Sequence, residues 1–383
     1  MRIVADGGPL LGVGGIRTYL YGLLRHLAVE GPEHEYGLFF RGYRSRVRRG
    51  VSTLMRDPAL AGFDTHVTVV PDRVLDWCWT RHAWHIPGTE GQLGHPDLFL
   101  STIYLMPILR RTATIMLAYD LIPMRFPRFY GRDRRRLVPR IRRGLERTDA
   151  VVAISEATKR DFIELMGADP AKVRVVYPGV EARQVPSDDG EDAARLCARY
   201  GVHRPYLLYV GSLGPHKNVE TLVRAFRRLR QSRRIGHQLV LCGATRWGRA
   251  VLEAASDLTA AGACVVLDFI PPEDVPCFYR HAEAFVFPSL YEGFGLPVLE
   301  AMACGAPVVS SNAGALPEVV GDAGLLVSPT DEEAIEDALH RVLTDPALRE
   351  HLRAKGYRQA ARFDWKESAR QMLKLFADVR GAR

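Results

Sequence analysis

Two glutamates seven residues apart, Glu292 and Glu300, interrupt a mostly apolar stretch, SLYEGFGLPVLEAMACGAPVV (289–309). Pro297 suits a first helical position, because it has no N–H to lose and its φ is preset. The helix predicted from it closes near Gly305, a residue type favoured just beyond a helix end. The amides of Phe294, Gly295 and Leu296 then lie at a helix N-terminus, where unpaired N–H groups and the helix dipole favour phosphate. Gly293 and Gly295 let the backbone approach a ligand that a Cβ would exclude. The spacing places Glu300 in the first turn and Glu292 in the loop before it, both able to accept hydrogen bonds from hydroxyls. Taken singly, Glu300 could complement the dipole and Glu292 could be a loop charge. The Gly-Phe-Gly turn between them favours a shared ligand.

These residues need a scaffold, and the chain supplies it in two rounds of short apolar runs alternating with amphipathic helices. The first round holds RIVAD, a Gly-rich turn with Gly14 and Gly15, a helix with Ile16, Tyr19, Leu20, Leu23, Leu24 and Leu27 at helical spacing, then THVTVV, DLFLST, TIMLAYD, AVVAIS and KVRVVYPG. The second holds YLLYVGS, HQLVLCG, CVVLDFI, AFVFPS, APVVSS and AGLLVSP. Such runs predict parallel sheets covered by helices on both faces. Two sheets of this kind imply a ligand cleft at their carboxyl ends. We place an N-terminal Rossmann-like domain at 1–185, a linker at 186–204 in the polar stretch VPSDDGED and beyond, and a second such domain at 205–362. A last helix, 363–383, is predicted to pack back on the first domain.

Composition narrows the function. A chain of 383 residues that is 47% hydrophobic and 25% charged is an ordinary globular protein of two domains. No run of about 18 apolar residues predicts a membrane span, and MRIVADGGPL reads as a strand, not a signal peptide. Six cysteines without CxxC pairs predict buried free thiols in a cytoplasmic protein. The net charge of +8 is unevenly placed, since residues 1–185 carry 28 Lys and Arg against 19 Asp and Glu. Two runs supply much of the excess, 41–50 and 132–147. They fit a solvated face, or attraction to an anionic membrane surface, a phosphorylated substrate or nucleic acid. In the second run Leu137, Val138, Ile141 and Leu145 recur among the arginines as on an interfacial helix, although Pro139 counts against a regular one. No zinc-finger spacing or RRM-like aromatic pattern is present, so nucleic acid is not an expected partner. The turn GVGGIR lacks the third glycine of a dinucleotide fingerprint, which argues against an NAD-linked oxidoreductase.

The Glu292–Glu300 stretch resembles the E-x7-E motif of the retaining glycosyltransferases of family 4, which have the GT-B fold: two Rossmann-like domains with parallel sheets facing across a cleft. YVGSLGPHKNVETLVRAF (209–226) is similar to that family's phosphate-binding segment. SNAGALPEVVGDAGLLVSPTD, MRIVADGGPLLGVGGIRTY, YDLIPMRFP and VVAISEATKRD are similar to other family stretches. The resemblance implies that Glu300 binds ribose hydroxyls and that Glu292 contacts the donor sugar. It implies that Lys217 and the Gly293–Leu296 backbone hold the diphosphate, while Gly14 and Gly15 approach it from the N-terminal domain. Ser212 or His216 stands where the family often has a basic phosphate ligand, a departure that leaves most of the charge compensation to Lys217. Tyr119 and Asp120, both candidate catalytic residues, stand where many members carry a His-Asp pair. Tyr119 could offer a hydroxyl or backbone contact or serve packing, and Asp120, which could simply cap or turn, is the weaker candidate. Gly243–Trp247 and Phe269 are expected near the base. The implied donor is a nucleoside-diphosphate sugar, with GDP-mannose preferred. The implied acceptor is a glycan or lipid-linked glycan, and the site of action is cytoplasmic, at the inner membrane face. No aspartate pair is spaced to hold a metal, so no metal or other cofactor is expected. The alternatives are a non-catalytic sugar-nucleotide-binding partner of another transferase and, further off, a pyridoxal-phosphate phosphorylase.

Overall fold

The computed structural model describes residues 1–42, 45–82, 88–181 and 191–382. The chain divides into two compact units, one of residues 1–179 with 364–383 and one of residues 180–363.

The first unit is built on β1 (Arg2–Asp6), β2 (Glu35–Arg41), β3 (Asp64–Thr68), β4 (Leu98–Ser101), β5 (Ala113–Ala118), β6 (Ala150–Ala153) and β7 (Val173–Val175), in the order β3-β2-β1-β4-β5-β6-β7. Every pairing is parallel. The central strands are buried on both faces, as in the ATIMLA run of β5, because helices cover both sides. Strand β2 is absent from the sequence reading. It ends at Arg41, which opens the run taken for a charged face. The Arg41 side chain is in fact buried and ion-pairs with Asp6 at 3.1 Å and Asp72 at 3.3 Å.

The second unit carries β8 (Tyr206–Val210), β9 (Gln238–Cys242), β10 (Cys264–Leu267), β11 (Ala284–Phe287), β12 (Val308–Ser311) and β13 (Gly324–Val327), in the order β10-β9-β8-β11-β12-β13 and again parallel. In each sheet the direction of winding reverses beside the first strand, between β1 and β4 and between β8 and β11. Open α/β sheets bind ligands at the carboxyl ends of strands flanking such a reversal. Of the stretch predicted as a linker, 186–190 lies outside the described residues. The rest includes a helix, Glu191–Tyr200, that is anchored on Asp274 by Arg195, by Arg199 at 2.8 Å and by the Tyr200 hydroxyl at 2.5 Å.

Two helices of the first unit differ from expectation. Pro127–Arg147 runs through Pro139 and bends at Tyr130. Its apolar stripe faces the protein: Ile141 is fully buried and Leu137, Val138 and Leu145 are half-buried, so that stripe is not free to enter a bilayer. In Gly15–Glu30 the residues Tyr19, Leu20, Leu23, Leu24 and Leu27 are buried, whereas Ile16 is exposed.

Helix Trp365–Gly381 packs against Gly15–Glu30. Asp364 caps it by accepting from the Lys366 amide at 2.9 Å. The Trp365 ring lies 5.7 Å from Tyr19 and 6.2 Å from His26, and it occupies the space a Cβ on Gly22 would need, 2.5 Å away. Trp365, with buried Met372 and Phe376 and the Ser368–Tyr177 and Arg370–Glu30 contacts, keys the last twenty residues into the first unit. Trp365→Ala is expected to cost about 3–5 kcal/mol, the range for emptying a buried aromatic site. Urea unfolding followed by circular dichroism measures it; a loss below about 1 kcal/mol would mean that the helix is held elsewhere.

Candidate functional site

The loops after β8 and β11 flank the reversal of the second sheet, and the predicted phosphate and sugar ligands lie on them. After β8 the chain passes Gly211 and Ser212, makes a 3-10 turn at Pro215–Lys217, and enters helix Val219–Arg233. After β11 it passes Ser289–Gly295 and enters helix Leu296–Ala303. The Leu290 amide donates to the His216 carbonyl at 2.7 Å and joins the two loops. Asn218, in the left-handed region at φ 59°, donates through Nδ2 to the carbonyls of Pro288 at 3.1 Å and Pro329 at 2.6 Å. The Tyr209 hydroxyl donates to the Ser212 carbonyl at 2.8 Å and stacks its ring on Phe287. Sequence reasoning missed Asn218, although an asparagine just after the predicted phosphate lysine was a legible sign of a left-handed turn.

Between these loops Lys217 and Glu292 form an ion pair. Lys217 Nζ donates to Oε1 at 2.7 Å and Oε2 at 2.9 Å, with side chains 15% and 9% exposed. The Lys217 ammonium also lies 5.3 Å from the centre of the Phe287 ring. Glu292 is fixed from behind, where its carbonyl accepts from the Ala315 amide at 3.0 Å. Gly314 makes that approach feasible: it sits at φ 61°, and a Cβ there would fall 2.4 Å from the Glu292 carbonyl oxygen. Two residues assigned separately from sequence, one to phosphate and one to sugar, therefore neutralise each other. His216 is half-buried beside them. Burial, reinforced by the Lys217 charge and opposed by Glu292, pushes its pKa down from 6.5 to about 4.

The helix after Glu292 begins at Leu296, one residue before the predicted start, because Gly295 turns the chain into it from φ 112°. Pro297 is thus the second helical residue and Glu300 the fifth, just beyond the first turn where the spacing placed it. The first amides of the helix have no intrahelical acceptor. Phe294 packs edge-on against Phe363, so its side chain serves the core and only its backbone can face a ligand. Glu300 is half-buried and accepts from the Tyr279 hydroxyl at 3.3 Å. Near the ends of β9 and β10, Asp268 accepts from the Thr245 amide at 2.7 Å and hydroxyl at 2.8 Å, and Phe269 is 70% exposed. That leaves an aromatic face available where the base was expected. The Trp247 side chain lies outside the described residues.

The remaining predicted residues stand on the first unit. Gly14, at φ 98°, caps the helix that Gly15 opens, and both are exposed. Asp120 accepts from the Ile122 amide at 3.1 Å, a turn-forming bond. Tyr119 is 4% exposed, meets Tyr19 edge-to-face at 5.6 Å, and its hydroxyl has no partner among the described residues. Its side chain packs in the core of the first unit, one of the readings its sequence position left open. Five described cysteines are free and buried. Among the described residues no helix is long and apolar enough to cross a membrane, and no three His, Cys, Asp or Glu side chains gather as a metal site.

Comparison with known proteins adds a context for this geometry. The family model "Glycosyl transferases group 1" matches residues 201–359 and "Glycosyltransferase Family 4" matches residues 13–184. The chain is 32% identical over 298 residues to O-antigen chain mannosyltransferase B of Escherichia coli, covering 77% of each protein. It is 34% identical over 247 residues to a D-inositol 3-phosphate glycosyltransferase of Acidothermus cellulolyticus, covering 61% of this chain and 54% of that one. Its fold is similar to that of a sucrose-phosphate synthase from Thermosynechococcus elongatus, with a TM-score of 0.77 at 22% identity and complete coverage of both chains. It is also similar to WaaG, a glycosyltransferase involved in lipopolysaccharide biosynthesis, with a TM-score of 0.71 at 17% identity over 98% of this chain and 99% of that one.

The depressed His216 pKa has a measurable consequence. Below pH 6.5 an unfolded histidine takes up a proton that folded His216 refuses until about pH 4. Stability contributed by the neutral ring is therefore present above pH 6.5 and is lost as pH falls towards 4. Thermal unfolding across this window should show a shallower loss of Tm in His216→Gln than in the parent. Parallel curves would place the acid sensitivity on another group.

Proposed function

We infer the activity from one premise: the chain belongs to the glycosyltransferase group 1 and family 4 superfamily, with the GT-B fold. It is a glycosyltransferase, and the further reading is ours. The chain moves a hexosyl group from a nucleoside-diphosphate sugar, GDP-mannose by preference, to a glycan or lipid-linked acceptor in cell-surface polysaccharide synthesis. The mannose preference is supported by the name of the relative that this chain matches over 77% of its length.

The Lys217–Glu292 pair carries this reading. An ammonium held at the sheet reversal beside unpaired helix amides suits a diphosphate, and a carboxylate beside it suits sugar hydroxyls. In the reaction the bond from the anomeric carbon to the diphosphate oxygen breaks, with the electron pair leaving on the diphosphate. Lys217 and the amides at Gly295 and Leu296 oppose that charge where it develops. The acceptor oxygen bonds to the same face of the anomeric carbon, by front-face attack or through a short-lived ion pair, and configuration is retained. The acceptor's proton passes to the departing phosphate oxygen. Glu300 orients the nucleotide through its ribose hydroxyls, and Phe269 lies against the base. Charge neutralisation by protein groups makes a divalent metal unnecessary. The acceptor belongs to the first unit, whose positive charge also suits an anionic cytoplasmic membrane face.

Glu300→Ala is expected to weaken nucleotide binding by about tenfold or more, because hydrogen bonds to a charged group contribute about 1.5–3 kcal/mol. Glu292→Ala should leave nucleotide binding within a few-fold and reduce transfer. Calorimetric titration and a transfer assay in excess EDTA measure both. Unchanged nucleotide affinity in Glu300→Ala, or activity abolished by EDTA and restored by manganese, would contradict these roles.

A further inference from the structure

The Pro127–Arg147 helix carries a second feature that glycosyl transfer does not use. Arg132, Arg135, Arg136, Pro139 and Arg140 recur at spacings of three and four, on one face of the helix. The first four of them, with Asp76 and Thr80, line an open cleft of about 290 Å³ within the first unit. Arg132, Arg135 and Arg136 are exposed and form no ion pair or hydrogen bond with a described residue. Like charges three and four residues apart destabilise a helix, so this clustering has a cost that an anion would relieve.

The carboxylate in the cleft relieves it only in part. Asp76 accepts from Arg140 Nε at 2.7 Å and from the Thr80 hydroxyl at 3.0 Å. Burial raises its pKa, but the Arg140 bond and charge outweigh this and hold it below the usual carboxylate range. Asp76 is thus committed to Arg140, which is 5% exposed. Arg140 in turn keeps Nη2 buried with no partner among the described residues. Asp76 also feels the charge of Arg136, so the cleft sets three exposed guanidinium groups, beside the buried Arg140, against one carboxylate.

We propose that this cleft binds a phosphate-bearing group of the size of a phosphate or diphosphate. Planar guanidinium groups donate in pairs to phosphate oxygens, and a multiply charged anion offsets more of the like-charge repulsion than a single carboxylate. The site stands on the first unit and does not depend on the donor assignment. The phosphate can come from a lipid headgroup or from a soluble phosphorylated compound.

Pyrophosphate, titrated at fixed ionic strength and followed by thermal shift, tests the site directly. Because the donor site would bind it too, four proteins are compared: the parent, Lys217→Gln, the combined Arg132→Gln, Arg135→Gln and Arg136→Gln variant, and the variant with all four substitutions. A saturable rise in Tm should survive in Lys217→Gln, fall in the triple variant to what the donor site alone gives, and vanish when all four substitutions are combined. Arg136→Gln alone, a milder change, should weaken binding by about tenfold, as expected for losing a charge-assisted bond. A triple variant that responds like the parent, an unchanged affinity in Arg136→Gln, or a response abolished by Lys217→Gln alone would overturn the proposal. Flotation with phosphatidylglycerol and phosphatidylcholine vesicles separates the sources. Anionic-vesicle binding displaced by pyrophosphate identifies a lipid phosphate, and binding untouched by it identifies a soluble one.

Discussion

The second unit depends on how a lysine and a glutamate, 75 residues apart in sequence, are held together at the sheet reversal. Both charges are mostly withdrawn from water, and each compensates the other. Removing one partner of such a pair leaves the other uncompensated, at a cost of about 3–5 kcal/mol for a fully buried pair. The loops that carry them are tied by the Leu290–His216 bond and by Asn218, and Gly314 lets a third segment support Glu292 from behind. Lys217 and Glu292 satisfy each other electrostatically, and a ligand that engages both must offer an anion to Lys217 and hydrogen-bond donors to Glu292. A nucleoside-diphosphate sugar offers both in one molecule.

Much of this architecture was legible in the sequence. The parallel sheets showed as continuous apolar runs because strands buried on both faces have no polar alternation to hide them. Strand β2 escaped because its last residue, Arg41, looks like the start of a solvated run, and only the fold shows Asp6 and Asp72 around it. The helix after Glu292 was placed one residue late, since nothing local distinguishes Gly295 as the left-handed turn from Pro297 as the opening residue. Candidate ligands were legible by type and spacing, but their pairing was not: a single sequence carries no contact information between residues as distant as 217 and 292. Tyr119 illustrates the converse. Its position beside Asp120 suggested a ligand, whereas burial against Tyr19 makes it a packing residue.

The arginine-rich helix of the first unit divides by face in a similar way. Ile141 is buried, Arg140 is committed to Asp76, and Arg132, Arg135 and Arg136 line a cleft. Excess charge that composition reports as a diffuse property is thereby partly localised.

The central claim is that Lys217 exchanges its glutamate for a diphosphate, and titration calorimetry with nucleoside mono- and diphosphates, guanosine and uridine, tests it most directly. The parent should bind the diphosphate of its preferred base at least about tenfold more tightly than the monophosphate, as a charge-assisted contact implies. In Lys217→Gln that preference should disappear while monophosphate affinity changes little. A preference for the diphosphate that survives the substitution would contradict the account.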